Sequence, residues 1–205
     1  MNKKQFLSAI ECAGLREQFD VHVGSGNIKI WTDTSESDVR VFHAEKKIPV
    51  FQKLYESLKA EYVESFGSEP DYSFLLVNRV VPKQGGLGSG GGWHRDSWFN
   101  QCKVFAFLSD VGESNGPLEY IPGSNSLLRK GCDILKYRRS LRVAAGANIE
   151  GVPVLLKAGQ GFSMDTTVIH RGRPILEGVR YAATLYAFNL DSRRLVKCKQ
   201  KFADL

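Results

Sequence analysis

Apolar and polar positions along the chain change their period near residue 70. Before it, apolar residues recur at helical spacing; from 71 onward they fall in short runs broken by turn residues. A first amphipathic helix is predicted over about 3–18. A second is predicted near 48–66, where Val50, Leu54, Leu58 and Tyr62 recur at fourfold spacing on one face. Between them NIKIWTD (27–33) reads as a short strand and TSESD (34–38) as a solvated turn. Further strands are predicted at 72–81, which Pro82 ends, and at 93–99, 102–110, 117–123, 152–159, 161–170 and 179–188.

Short strands joined by turns point to a sandwich, jelly roll or barrel. Two helices followed by about eight strands predict a mainly β fold with packed helices. It would be a double-stranded β-helix, jelly-roll or cupin-like, with the N-terminal helices on one outer face. The 205 residues show no internal repeat and no Pro/Ser-rich linker, so one domain is expected. Within it the helices occupy about 1–70 and the β core about 71–190, followed by a short basic tail.

Composition narrows the class without choosing a function. Hydrophobic residues at 42% and charged residues at 24% are ordinary for a globular chain. No apolar run approaches the roughly 18 residues of a membrane span, and MNKKQFLSAIECAGLREQF alternates apolar with charged residues, unlike a secretory signal. A cytoplasmic protein is expected. Cys12, Cys102, Cys132 and Cys198 form no CxxC pair, which argues against a structural zinc site and a disulfide scaffold. All four read as reduced thiols, with Cys102 in the core and Cys132 among cations that would lower its pKa. The net charge of +6 favours anionic partners, either nucleic acid or a phosphate- or carboxylate-bearing small molecule.

Candidate chemistry starts at WHRDSW. On a strand, His94 and Asp96 at i and i+2 project from one face, so an imidazole and a carboxylate can converge on one ion. His170, the only histidine downstream, would complete a facial triad that leaves open positions on iron(II) for a co-substrate and O2. Alone, the pair reads equally as a surface strand with an ion pair, and His170 as a hydrogen-bonded core histidine. Arg180 changes the weighting. RGRPILEGVR carries turn chemistry at Pro174 and Gly178, and the hairpin returns Arg180 on a strand beside that of His170. Its strand is otherwise apolar, so a guanidinium there needs a partner, and the second carboxylate of an iron-chelating 2-oxo acid suits it. Thr184, four residues on and on the same face, offers a hydroxyl.

The runs WHRDSW, SNGPLEYIPGSN (114–125), GFSMDTTVIHRG and GVRYAATLYAF resemble the phytanoyl-CoA dioxygenase-like group of iron(II)/2-oxoglutarate oxygenases, over about residues 72–188. The resemblance implies a double-stranded β-helix, iron(II) held by His94, Asp96 and His170, and 2-oxoglutarate anchored by Arg180 and touched by Asn78. It departs at Asn125, where the family often has histidine, and at Gly172, where relatives often place a serine; Thr184 would take that serine's role. Retention of Asp96 argues for hydroxylation over halogenation. The implied reaction consumes 2-oxoglutarate and O2, releases succinate and CO2, and oxidises a C–H bond.

Other features stay open. GLGSGG (86–91) matches a dinucleotide fingerprint only formally, since a strand rather than a helix is predicted after it; the 85–92 glycine run reads as a rim over the site or a plain turn. Residues 129–142 hold six Lys/Arg against one Asp, and read as a funnel for an anionic substrate or as a solvated face. Arg79, Arg95, Arg171 and Arg173 flank the proposed ligands and, with Trp98, are candidates for substrate contact. Trp93, Phe105, Phe107 and Tyr120 read as pocket lining or core. The leading expectation is a hydroxylase of a small anionic molecule. Against it stand a nucleic-acid dealkylating oxygenase, which would bind oligonucleotides in a salt-dependent way and for which no strand-tracking aromatic motif is seen, and a non-catalytic jelly-roll binding module, which would not bind iron.

Overall fold

The computed structural model describes residues 2–83, 85, 92–98, 101–138, 140–143, 150–203 and 205. Strand β1 (Lys4–Gln5) precedes helix α1 (Ala9–Ser25), and β2 (Trp31–Thr32) and β3 (Asp38–Phe42) lead to the short helix α2 (Ala44–Lys47) and a 3-10 turn at Pro49–Phe51. Helix α3 (Gln52–Phe66) is followed by β4 (Tyr72–Val80), β5 (Gln101–Phe107), β6 (Leu118–Tyr120), α4 (Leu127–Lys136), β7 (Val152–Val154), β8 (Gln160–Asp165), β9 (His170–Gly172), β10 (Arg180–Phe188) and α5 (Ser192–Ala203).

The strands form two antiparallel sheets. The larger has the order β1-β8-β5-β10-β4-β3-β2, the smaller β7-β6-β9. The larger sheet is a two-sided wall. Its outer face carries Val39, Val41, Leu75, Val77, Val104, Ala106 and Leu185, and the helices pack there through Cys12, Leu15 and Phe19 of α1 and Leu54, Leu58 and Tyr62 of α3. Burying each large side chain contributes roughly 1.5–3 kcal/mol, which makes this cluster the main source of stability. Between the two sheets lies a second cluster around Phe105, Phe107, Leu118 and Phe162. A third, around Phe42, Phe74 and Phe188, is closed by Phe202 of α5, whose ring centroid lies 4.9 Å from that of Phe74.

Several element boundaries differ from the predicted ones, each for a local reason. Helix α1 starts at Ala9 because Ser8 and Glu11 form a reciprocal capping box, while Lys4 and Gln5 pair with Gly161 and Gln160. Val50 lies in the 3-10 turn and is 47% exposed; Phe51 is buried in its place. The turn predicted at 34–38 gives way at Asp38 to β3, which pairs with β4. WHRDSW is no regular strand: His94 makes isolated bridges to Arg142 and His170. GFSMDTTVIH breaks after Asp165, so that His170 opens β9 in the smaller sheet. His170 and Arg180 therefore face each other across the sandwich rather than lying on adjacent strands. The predicted basic tail is the helix α5. Of the 85–92 glycine run, residues 86–91 lie outside the described residues.

Candidate metal centre

Two chain segments, one carrying His94 and Asp96 and the other Thr166 and His170, meet at one end of the space between the sheets. His94 and His170 are joined backbone to backbone, each amide donating to the other's carbonyl at 2.9 Å. The Asp96 amide donates to Thr166 O at 3.1 Å. These bonds bring His94, Asp96 and His170 together so that one donor atom from each lies within 4.8 Å of the others. His94 Nε2 is 3.7 Å from Asp96 Oδ1, and His170 Nε2 is 3.7 Å from Asp96 Oδ2.

Both imidazoles are oriented for metal ligation. His94 Nδ1 donates to Gly92 O at 2.8 Å and His170 Nδ1 to Val168 O at 2.9 Å, and this leaves the Nε2 lone pairs pointing inward. Burial pushes the His170 imidazole down to about 4, against the attraction of Asp96, so it is neutral at physiological pH. Burial alone would raise the Asp96 carboxyl, but Lys103 and the two histidines outweigh it and hold the group down at about 2. Asp96 Oδ2 is buried and meets the Lys103 ammonium at 2.8 Å. Two inward-facing ring nitrogens and an ionised carboxylate suit a divalent transition metal.

The cavity beside them has a volume of about 260 Å³. That is near the lower end of ligand sites, roughly 300–1,000 Å³. Asn78, Thr184 and Arg180 all line it, as do Arg40, Lys103 and Tyr186. Arg180 is buried, and its Nη1 donates to the carbonyl of Gly116. Gly116 has φ +68, and a Cβ there would lie 2.6 Å from Ile175 Cγ1, so the backbone that receives the guanidinium requires glycine. Arg180 Nε has no hydrogen-bond partner among the described residues. Burial pulls this guanidinium down to about 10, which still leaves it charged at neutral pH. A buried charged donor without a partner costs on the order of 1–3 kcal/mol or more, a penalty that a bound carboxylate removes. Asn78 Nδ2 donates to Asp38 Oδ1 at 3.1 Å.

The five residues considered for substrate contact are not among those lining the cavity. Arg79 points to the helix-covered face and pairs with Asp20 of α1 at 2.7 Å. Arg95 is buried, bonded to Asp133 of α4 and to Thr167 O, with Trp98 against its guanidinium at 5.3 Å. Arg171 and Arg173 share the buried Glu119, at 2.7 and 2.5 Å, and Arg171 stacks on Trp93. Four of the five lie outside that lining for one reason: a residue next to, or an odd number of places from, a cavity residue points the other way along extended backbone. The basic 129–142 segment is mostly α4, which Asp133 ties to Arg95, and Arg139 lies outside the described residues.

Two cavity cations escaped the sequence reading. Lys103 lies 2.8 Å from Asp96 Oδ2 and 4.0 Å from the Tyr186 ring centroid. Arg40, in register with Asn78, pairs with Asp38 at 2.5 Å and covers Trp31. Their signal was present: each is a cation inside an apolar run, CKVFAF and VRVF, the same anomaly that singled out Arg180.

A family model, described as phytanoyl-CoA dioxygenase, matches residues 2–177. The chain belongs to the phytanoyl-CoA dioxygenase family. Family membership makes it an iron- and 2-oxoglutarate-dependent oxygenase. Comparison with curated proteins gives no match. Among solved structures, the fold is similar to the non-haem α-ketoglutarate-dependent carbocyclase SnoK from nogalamycin biosynthesis, with 18% identity over 90% of this chain and 77% of that one and a TM-score of 0.66. The epimerase SnoN, in complex with Fe3+, α-ketoglutarate and nogalamycin RO, gives 15% identity, 90% and 77% coverage and a TM-score of 0.67. HygX from Streptomyces hygroscopicus, with nickel and 2-oxoglutarate bound, gives 17%, 92% and 82%, and 0.62. No described helix is long and apolar enough to cross a membrane.

Proposed function

We propose that the cavity is the active site of an iron(II)- and 2-oxoglutarate-dependent dioxygenase that hydroxylates an unactivated C–H bond of a small anionic molecule, releasing succinate and CO2. The observation that carries this is the convergence of His94, Asp96 and His170 on one cavity that also holds Arg180, whose Nε has no partner among the described residues. In this reading His94, Asp96 and His170 hold the iron. Arg180 takes the distal carboxylate of 2-oxoglutarate, and Asn78 and Thr184 border the same co-substrate. Iron(II) and 2-oxoglutarate, when bound, supply with O2 the oxidising power; the chain supplies ligands, orientation and a shielded space.

Hydroxylation is the preferred outcome because Asp96 retains the carboxylate ligand, whose loss opens a halide position in related halogenases. The anionic substrate rests on charge. Arg40, Lys103 and Arg180 line the cavity, while Asp96 is the one carboxylate in the lining and Asp38 lies behind Arg40. That imbalance favours a substrate bearing a carboxylate or phosphate. The cavity's size supports a small molecule over nucleic acid, and four free cysteines support a reducing compartment such as the cytoplasm.

Anaerobic titration of the protein with iron(II) and 2-oxoglutarate tests the assignment through the weak visible charge-transfer band of the chelate. Wild type is expected to give the band, His170→Ala to lose it, and Arg180→Ala to need at least about tenfold more 2-oxoglutarate, as for loss of a charge-assisted bidentate pair. No band in wild type with ample metal and co-substrate overturns the assignment and favours a non-catalytic jelly-roll module.

A further inference from the structure

Lys103 does not belong to the expected ligand set, yet it is ion-paired to one of its members, Asp96. It stands on β5 between Tyr186 of β10 and Met164 of β8, with its side chain only 7% exposed. Its ammonium meets Asp96 Oδ2 at 2.8 Å and the face of the Tyr186 ring at 4.0 Å. An ammonium this deeply placed persists only against a carboxylate that compensates its lost hydration. The Tyr186 face holds it from the side, and the β5–β10 register fixes the strand that carries it.

The pairing makes the two oxygens of Asp96 unequal. Each oxygen lies 3.7 Å from one imidazole, Oδ1 from His94 Nε2 and Oδ2 from His170 Nε2, but Oδ2 is also engaged at 2.8 Å by Lys103, the only Lys or Arg paired with Asp96 among the described residues. A carboxylate with both oxygens free can bind a divalent cation through one or through both. We propose that Lys103 is a positioning residue that keeps Asp96 Oδ2 occupied, so that the carboxylate offers one oxygen, Oδ1, to the metal and the positions needed by 2-oxoglutarate stay open. This rests on the reading of the cavity as an iron(II)/2-oxoglutarate site. A facial triad would leave the opposite face of a bound ion for 2-oxoglutarate and O2. A second oxygen from Asp96 would compete for it.

The test separates metal binding from co-substrate binding in wild type, Lys103→Met and Lys103→Arg. Mn(II) affinity is read from the electron paramagnetic resonance signal of the free ion, and 2-oxoglutarate affinity from the charge-transfer band of the anaerobic iron(II) protein. In Lys103→Met the metal dissociation constant is expected within about threefold of wild type. The 2-oxoglutarate dissociation constant is expected to rise at least about tenfold, the scale of losses when a partner orienting a metal ligand is removed, and the band to shift. Lys103→Arg, which keeps the cation, should restore both. Wild-type-like 2-oxoglutarate binding and an unshifted band in Lys103→Met overturn the positioning role. Parallel loss of metal and co-substrate with a lowered melting temperature, unrelieved by arginine, also overturns it, since it makes Lys103 a support of the fold. A wild-type band with unaffected Lys103→Met sinks this inference alone; absence of the wild-type band sinks the active-site reading and this inference with it.

Discussion

Along β10, Ala183, Leu185 and Ala187 point into the helix-covered core, while Arg180, Ala182, Thr184 and Tyr186 line the cavity. β4 and β5 repeat the division: Leu75, Val77, Val104 and Ala106 on one side, Leu76, Asn78, Lys103 and Phe105 on the other. Both faces are buried, yet one is almost wholly apolar and the other holds guanidinium, ammonium and amide groups. The apolar face returns stability for every group it buries. The polar face costs stability unless each group finds a partner, and at Arg180 Nε no hydrogen-bond partner is found among the described residues. A deficit on that face marks where a ligand belongs.

The sharpest way to break the comparison is a cavity on the apolar side. Leu185→Ala is expected to cost about 2–5 kcal/mol of unfolding free energy, measured by urea denaturation. The 2-oxoglutarate affinity of the folded iron protein should stay within about twofold of wild type, because no atom of the cavity lining is removed. A large loss of affinity in the folded fraction would show that the two faces are coupled.

Acidification acts on the polar side. His170 is held at about 4 when folded, mainly by burial, and titrates near 6.5 when unfolded. The folded value is the lower one, so the unfolded chain binds the extra proton first. Its contribution is therefore complete above about pH 6.5 and is lost as pH falls toward 4, by on the order of 3 kcal/mol at the end of that window. Asp96, lowered to about 2 from its ordinary 3.8, adds a further loss only below about pH 3.8. Denaturation of the metal-free protein at steps from about pH 7.5 to 4.5 checks this; a flat profile contradicts it. The smallest effect is expected for Arg79→Ala. It breaks a partly exposed ion pair with Asp20 and should change stability by less than about 1 kcal/mol and leave turnover unaltered.

Most of the proposed ligand set was legible because it violates local expectation: an HxD pair, a downstream histidine and an arginine in an apolar strand. Lys103 and Arg40 violate it in the same way and were passed over, whereas Arg79, Arg95, Arg171 and Arg173 drew attention by lying next to, or an odd number of places from, proposed site residues. Such separations put side chains on opposite faces of extended chain, so sequence proximity misled where the period of two would have corrected it. The start of α1 was readable from the SAIE capping box at Ser8–Glu11. What one chain's pattern does not carry is pairing between sheets. That Lys103 meets Asp96, or that His170 faces Arg180 across the sandwich, follows from strand order and closure rather than from any local periodicity.

The reciprocal amide–carbonyl pair between His94 and His170 also bears on the entropy of capturing the metal proposed for this site. Ordering a residue's backbone costs roughly 1–2 kcal/mol, and a site whose ligands sit on untethered loops meets that cost when the ion arrives. Here the two imidazoles are fixed relative to each other before any ion is present, by backbone bonds that persist if either side chain is removed. Capture then resembles closing a ring already nearly shut, with the entropy of desolvating the ion and the protein groups, rather than of arresting the chain, setting its balance.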